Sequence, residues 1–323
     1  MADKENQHTV PQFYLRQFTP EHGDKILWEY AKTNPTRPSR KSPRDVAAES
    51  FFYSKQLKDG SWDHSLEDTL NKVETITAPA YKRLIENEPL KRGDRQIVAQ
   101  FIGLMVMRTK GPRDAANAHV ALLESPQFAS DYVRLNDEAL CAIYGRDKVQ
   151  EFIDRVERSG QGLLMPKNFH LTHVFDRADR WGERIMQMSW TIWTARPPAF
   201  FLTSDNPAFA RKPSYIKSPG IVGIDRDDLY VELGFPLSST SFLIARWGQR
   251  GGQLLSHMNA SAMRVLALNT RTVLSATEHV FSPEKSSQIE ALVKEHKDFR
   301  LQYPKYTQQD LLTALRQRTN RDR

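Results

Sequence analysis

Val231-Glu232-Leu233-Gly234-Phe235-Pro236-Leu237 and Ser241-Phe242-Leu243-Ile244-Ala245-Arg246 are two apolar runs separated only by Ser238-Ser239-Thr240. So short a connection cannot hold a helical crossover, so two strands joined this way lie antiparallel. Working back along the chain, Ser189-Trp190-Thr191-Ile192-Trp193-Thr194 alternates as a half-buried strand does. Phe200-Phe201-Leu202 then reads as a buried strand that runs into the polar turn Thr203-Ser204-Asp205-Asn206-Pro207. Working forward, Ser261 to Ser275 reads as a helix, Glu278 to Phe281 as a short strand and Ser282-Pro283-Glu284 as a helix start.

Near the N-terminus, Lys25 to Tyr30 reads as a strand after the Gly23-Asp24 turn, and Ser50 to Tyr53 as its expected partner. Between them, Pro35, Pro38 and Pro43 keep the segment out of a helix or a central strand. Thr9 and Pro11 suit the cap and first turn of a short helix carrying Phe13, Tyr14 and Phe18. The middle of the chain is helical. Leu66, Leu70, Val73, Ile76 and Ala80 line one face of a helix from Leu66 to about Glu86, capped by Ser65 or Asp63, with Pro79 as a kink or break. Arg95 to Arg108 is apolar almost all round, which marks a buried helix, and Gln100 is its polar exception. The expected fold is therefore α+β: a largely antiparallel sheet built from the N-terminal hairpin and the C-terminal strands, packed by long helices. We read residues 1–323 as one domain, with a helical middle at about 64–187, strand-rich segments at about 24–55 and 189–282, and a basic tail at about 306–323.

Composition narrows the function classes. Hydrophobic residues at 39% and charged residues at 26% suit a folded chain and exclude a disordered one. No run of about 18 apolar residues exists to cross a membrane. The first residues, Met1 to Gln7, are polar and lack an apolar leader core. Cys141 is the only cysteine, which excludes an internal disulfide and a thiolate zinc cluster and favours a reducing cytoplasm. The net charge of +7 leans towards an anionic partner, nucleic acid or nucleotide. Its carriers cluster: Arg37, Arg40, Lys41 and Arg44 in one segment, and Arg316, Arg318, Arg321 and Arg323 in the tail. No Walker loop, dinucleotide glycine motif or repeat is present.

The candidate working groups are scattered along the chain. His8 precedes the first helix, where an imidazole can act as base, acid or ligand. Glu67 and Glu74 are seven residues apart, so two helical turns return them to one side. Such a carboxylate pair suits acid–base work or a divalent cation. Arg108 ends the apolar helix and suits an anion or a pairing with Glu67 or Glu74. Ser204, Asp205 and Asn206 place a hydroxyl, a carboxylate and a carboxamide at a strand end. His170, His173, Asp176 and Asp179 have metal-like spacing but lack a His-Glu-x-x-His pattern, and a surface helix explains them.

His8-Thr9-Val10-Pro11-Gln12-Phe13-Tyr14-Leu15-Arg16-Gln17-Phe18 resembles the opening signature of the domain-of-unknown-function family 4238 (DUF4238). Phe201-Leu202-Thr203-Ser204-Asp205-Asn206-Pro207 resembles that family's second hallmark. Weaker agreements are Glu67 and Glu74, Arg108-Thr109, Phe235-Pro236-Leu237-Ser238, and Leu268-Asn269 ahead of Ala276. Where the family keeps Arg-Thr-Pro, this chain has Arg108-Thr109-Lys110-Gly111-Pro112. The resemblance implies a mostly prokaryotic protein type without an established activity. It also groups His8, Glu67, Glu74, Gln100, Arg108, Asp205 and Asn206 in space.

Two functions follow as expectations. One is a hydrolase acting on a phosphodiester or nucleotide, with His8, Glu67, Glu74 and Asp205 as catalytic groups. Arg16, Gln100, Arg108, Ser204 and Asn206 would then hold substrate, and Asp205 and Glu67 are the candidates for a divalent metal ion. The other is a non-catalytic nucleic-acid- or ligand-binding module, in which Ser204 to Pro207 is an Asx-type turn and His8 and Arg108 close a structural polar network.

Overall fold

The computed structural model describes residues 5–20, 25–57, 59–114, 125–135, 141, 145–159, 174–211, 231–248 and 254–300. The tail from 301 onward, His170 and His173 lie outside them, as does the Asp176 side chain. The chain divides into two compact units. One comprises Met1–Pro112 and His173–Tyr303, and the other Arg113–Thr172 and Pro304–Arg323. In the second unit, helices Pro126–Leu135 and Arg146–Ser159 pack together through Val133, Val149 and Ile153.

The first unit is built around the strand pair Glu232–Pro236 and Ser241–Arg246. Here β1 to β13 are numbered in chain order, beginning with β1 (Asn6–His8), β2 (Leu27–Ala31), β3 (Ser39–Lys41), β4 (Ala48–Ser50), β5 (Lys55–Gln56) and β6 (Trp62–Asp63). They continue with β7 (Ser189–Thr194), β8 (Thr203–Ser204), β9 (Phe209–Arg211), β10 (Glu232–Pro236), β11 (Ser241–Arg246), β12 (Leu255–Asn259) and β13 (His279–Ser282). As the short connection requires, β10 and β11 pair antiparallel, from Glu232↔Arg246 to Pro236↔Phe242. They sit inside a five-stranded sheet of order β12-β7-β11-β10-β9, antiparallel except that edge strand β12 runs parallel to β7.

Both faces of this sheet are covered, which explains why β10 and β11 read as continuous apolar runs. On one face Leu233, Phe235, Leu243 and Trp190 join a core with helices α1 (Gln12–Leu15), α2 (Ser65–Ile85), α3 (Asp94–Met107) and, next along the chain within this unit, α4 (Val174–Gln187). On the other, Phe209, Phe242 and Ile244 pack on Val265 and Leu268 of α5 (Ala262–Ser275). Gly234 faces Phe209 across the ladder, and a Cβ there would strike the Phe209 ring. The second sheet has order β3-β2-β13-β8. Tyr30, Leu202 and Val280 of its strands and flanks pack against Val273 of α5 and against Ile289 and Val293 of α6 (Ser287–Glu295).

The α+β expectation stands, but the strands divide into several sheets and the N-terminal hairpin is assembled differently. Leu27–Ala31 pairs with Ser39–Lys41 inside the proline-rich segment. Pro38 and Pro43 flank that strand, and it stays at the sheet edge, where proline does least harm. The later strand is Ala48–Ser50, not Ser50–Tyr53, and it pairs with Asn6–His8. Ala47 and Phe51 at its two ends have φ of 49° and 53°, which ends extended pairing on either side. Pro11, not Thr9, occupies the N-cap position of α1, without a side-chain cap bond, and the Thr9 hydroxyl donates to Ala47 O at 3.0 Å. The α2 helix runs through Pro79, and Asp63 Oδ1 accepts from Ser65 N at its start.

Candidate functional site

The two sequence motifs meet in a buried polar network. Tyr14 is wholly buried, and its hydroxyl donates to Pro236 O at 2.9 Å. That uses its single proton, so Thr203 Oγ1 donates to it across 2.7 Å. Burial pushes the Tyr14 phenol well up, keeping it neutral. The first motif thus touches the second directly.

A second link runs through Arg108. Its guanidinium is buried and uses its three sides: Nη1 donates to Glu74 Oε1 at 2.8 Å, Nη2 to His8 O at 2.7 Å and Nε to the Tyr53 hydroxyl at 3.2 Å. Tyr53 in turn donates to Arg108 O at 2.9 Å. Burial alone would lower this guanidinium, but Tyr53 and Glu74 reverse the effect and hold it above arginine's ordinary value. The next residue carries the link onward, since Thr109 Oγ1 donates to Asn206 Oδ1 at 2.9 Å. Asn206 Nδ2 donates to Ser275 O at 3.0 Å, and its backbone N–H donates to Ser204 Oγ at 3.2 Å.

Asp205 accepts three backbone N–H groups: Thr277 on Oδ1 at 2.8 Å, and Glu278 and His279 on Oδ2 at 2.7 and 3.0 Å. Its own N–H returns to His279 O at 3.1 Å. The carboxylate therefore clamps the α5–β13 connection to the turn after β8. Burial pushes its carboxyl up, against the pull of these donors and of His279. Behind it lies Lys32, only 1% exposed, donating to Ala276 O and Phe299 O at 2.7 and 3.1 Å. Burial, then Arg300, lowers its ammonium to about 8, and Asp205 partly opposes the fall.

His8 and Glu67 are placed differently. Both are half-buried rather than sealed. His8 Nε2 lies 3.0 Å from Arg44 O, and a carbonyl only accepts, so Nε2 carries the proton and Nδ1 the lone pair of the neutral ring. Burial lowers the His8 imidazole, favouring that neutral form. Glu67 sits on α2 near Glu74 and Arg108, and its Oε2 is buried without a hydrogen-bond partner. Burial raises its carboxyl; Arg108 opposes the shift and Glu74 adds to it.

The remaining nominated residues sit elsewhere. Gln100 lies where α3 crosses α4, its Cα 2.8 Å from where a Gly182 Cβ would be. Arg16 is exposed and donates to Gln12 Oε1 at 3.1 Å. Ser204 is sealed and serves the Asn206 N–H. Among the described residues, no three His, Cys, Asp or Glu side chains gather as metal ligands. A cavity of about 340 Å³, lined by Glu86, Asn87, Thr240, His257 and Asn259 among others, includes none of the nominated residues.

The sequence reading did not single out Tyr53, Gln7, Lys32, Asn269 or Ser275 for the network. Gln7 Oε1 accepts the Tyr53 N–H at 2.5 Å, and Asn269 bonds both Leu202 N and Phe200 O at 2.9 Å. The available signal for Asn269 was a carboxamide on the same helix face as Val265, Leu268 and Val273. Among the described residues, no helix is long and apolar enough to cross a membrane.

No curated protein and no solved structure matches the chain. The model of one family, described as a protein of unknown function (DUF4238), matches residues 6–286, a span that holds both motifs together with Arg108, Thr109 and Ser275. The chain belongs to the DUF4238 family.

Proposed function

We propose that this chain is a non-catalytic module that binds nucleic acid or a comparable polyanionic ligand, and that its two motifs form the internal frame of the fold. The observation that carries this reading is the commitment of Arg108, Asp205 and Asn206. Each is buried, and each bonds groups of its own chain. An arginine enclosed this way has no face left for a phosphate, and a carboxylate holding three amides has little left for a metal. The ligand class rests on charge. The excess of +7 is supported locally by Arg37, Arg40 and Arg44, which are exposed around edge strand β3. His8 ties the frame to this segment through Arg44 O. The lone Cys141 suits a reducing cytoplasm.

The test is fluorescence anisotropy of labelled single-stranded and duplex oligonucleotides over a salt series, with the same samples run on a gel. The reading expects binding that weakens with rising salt, further weakening in Arg37→Gln/Arg44→Gln, and intact oligonucleotide. Absence of binding at low salt overturns it.

A second reading, a hydrolase of phosphodiesters or nucleotides, is favoured by Glu67 and His8. A carboxyl with one buried, unpartnered oxygen and a raised affinity for protons suits a general acid, and the neutral His8 imidazole suits a base. Cleavage by the wild type that is lost in Glu67→Gln would establish it in place of the first.

A further inference from the structure

Arg211, Glu232 and Arg246 stand side by side on β9, β10 and β11. Directly paired positions point to one face of a sheet, so the three side chains share the face covered by α5. From that helix Arg271 reaches the same carboxylate. Glu232, 2% exposed, receives Nε and Nη2 of Arg246 on Oε2 and Nη1 of Arg271 on Oε1. Arg211 Nε stops 3.8 Å from Oε1 and is buried with no hydrogen-bond partner.

One carboxylate therefore faces three guanidinium groups, an excess of two positive charges. Among the described residues, no second acidic side chain pairs with any of the three. Arg264 adds a further charge nearby, its guanidinium stacked 4.6 Å above the Trp193 ring. Burial, with Arg211 and Arg264, lowers the Arg271 guanidinium below arginine's ordinary value although Glu232 opposes this. A buried guanidinium donor left without an acceptor, inside an uncompensated cluster of like charge, calls for an anion. Arg246 provides the way in, since its side chain is 56% exposed while Arg211 and Arg271 are 18% and 16% exposed.

We infer that the Arg211–Arg246–Arg271 cluster on Glu232 binds a doubly charged oxyanion, a phosphate group either free or as a phosphomonoester. Guanidinium forks match phosphate oxygens in geometry, and a dianion balances the excess. The site goes beyond the polyanion-binding reading and does not depend on it.

Isothermal titration of the full chain with inorganic phosphate, with a nucleoside monophosphate and with chloride at matched ionic strength tests the inference. Saturable uptake of phosphate but not chloride is expected, and the nucleoside monophosphate arm tells the two sources apart. Phosphate alone means a free-anion site, and equal or tighter uptake of the ester means a phosphomonoester site. Arg246→Gln, in a preparation that keeps the wild-type circular dichroism spectrum, should raise the phosphate Kd about tenfold, the loss of one charge-assisted contact. Glu232→Gln, which removes the competing carboxylate, should tighten uptake in any preparation that keeps the wild-type circular dichroism spectrum. Phosphate heat no greater than chloride heat, or an Arg246→Gln protein that binds phosphate unchanged, overturns the inference. A failure to bind oligonucleotides would leave this titration unaffected and would count only against the polyanion reading.

Discussion

Glu67 shows what separates a frame residue from a group with capacity to spare. Its neighbours Glu74 and Arg108 are bonded to each other, whereas its own Oε2 is enclosed and unbonded. The folded-state carboxyl is raised above its ordinary 4.5, so the fold favours the protonated form. Its contribution to stability is therefore fully present below about pH 4.5 and is lost as pH rises through the higher folded value. Glu67→Gln, an uncharged mimic of the protonated acid, should raise the melting temperature at pH 7 and give no gain near pH 4, which paired thermal melts would check. A gain of equal size at both values would mean that the charge of Glu67 is immaterial. At this scale the sequence shows which groups exist but not what they hold. Asp205 reads equally as catalyst or turn-former because its partners are backbone amides 72 to 74 residues away, which leave no side-chain signature.

Helices were legible because their signal is local. Ser65–Ile85 and Asp94–Met107 lie within one residue of the expected bounds, since an apolar stripe or an apolar run needs no knowledge of a partner. Strand pairing depends on distant residues, and there the reading of Ser50–Tyr53 as the partner of Lys25–Tyr30 failed. The α3–α4 crossing is also non-local and is written in two glycines. A Cβ on Gly103 would lie 2.7 Å from Gly182 N, and one on Gly182 would lie 2.8 Å from Gln100 Cα, so these backbones meet without side chains between them. Alanine is normally the better helix former by about 1 kcal/mol, so a local effect would stabilise. The crossing should reverse that sign: Gly182→Ala is expected to destabilise by about 1–3 kcal/mol in urea unfolding, because the clash is with backbone and cannot be relieved by a rotamer. A neutral or stabilised Gly182→Ala protein would refute this packing.

In the first unit, the two motifs act together although nearly two hundred residues separate them. Tyr14 bonds Thr203, Arg108 grips the His8 carbonyl, Thr109 bonds Asn206, and Asp205 fastens the α5–β13 connection. Polar groups so enclosed specify one arrangement of β1, α3, the β8 turn and β13, because any other would strand them without partners. This is also why the sequence could locate the motifs but not their role: the same residue types in an open cleft would be catalytic. Unfolding of an Asp205→Ala protein separates the two most directly. Removing the carboxylate deprives three part-buried backbone amides of their acceptor, and at about 1 kcal/mol for each lost bond the unfolding free energy in urea should fall by about 3 kcal/mol. An Asp205→Ala protein as stable as the wild type, or more stable, would contradict the frame and return Asp205 to the catalytic candidates.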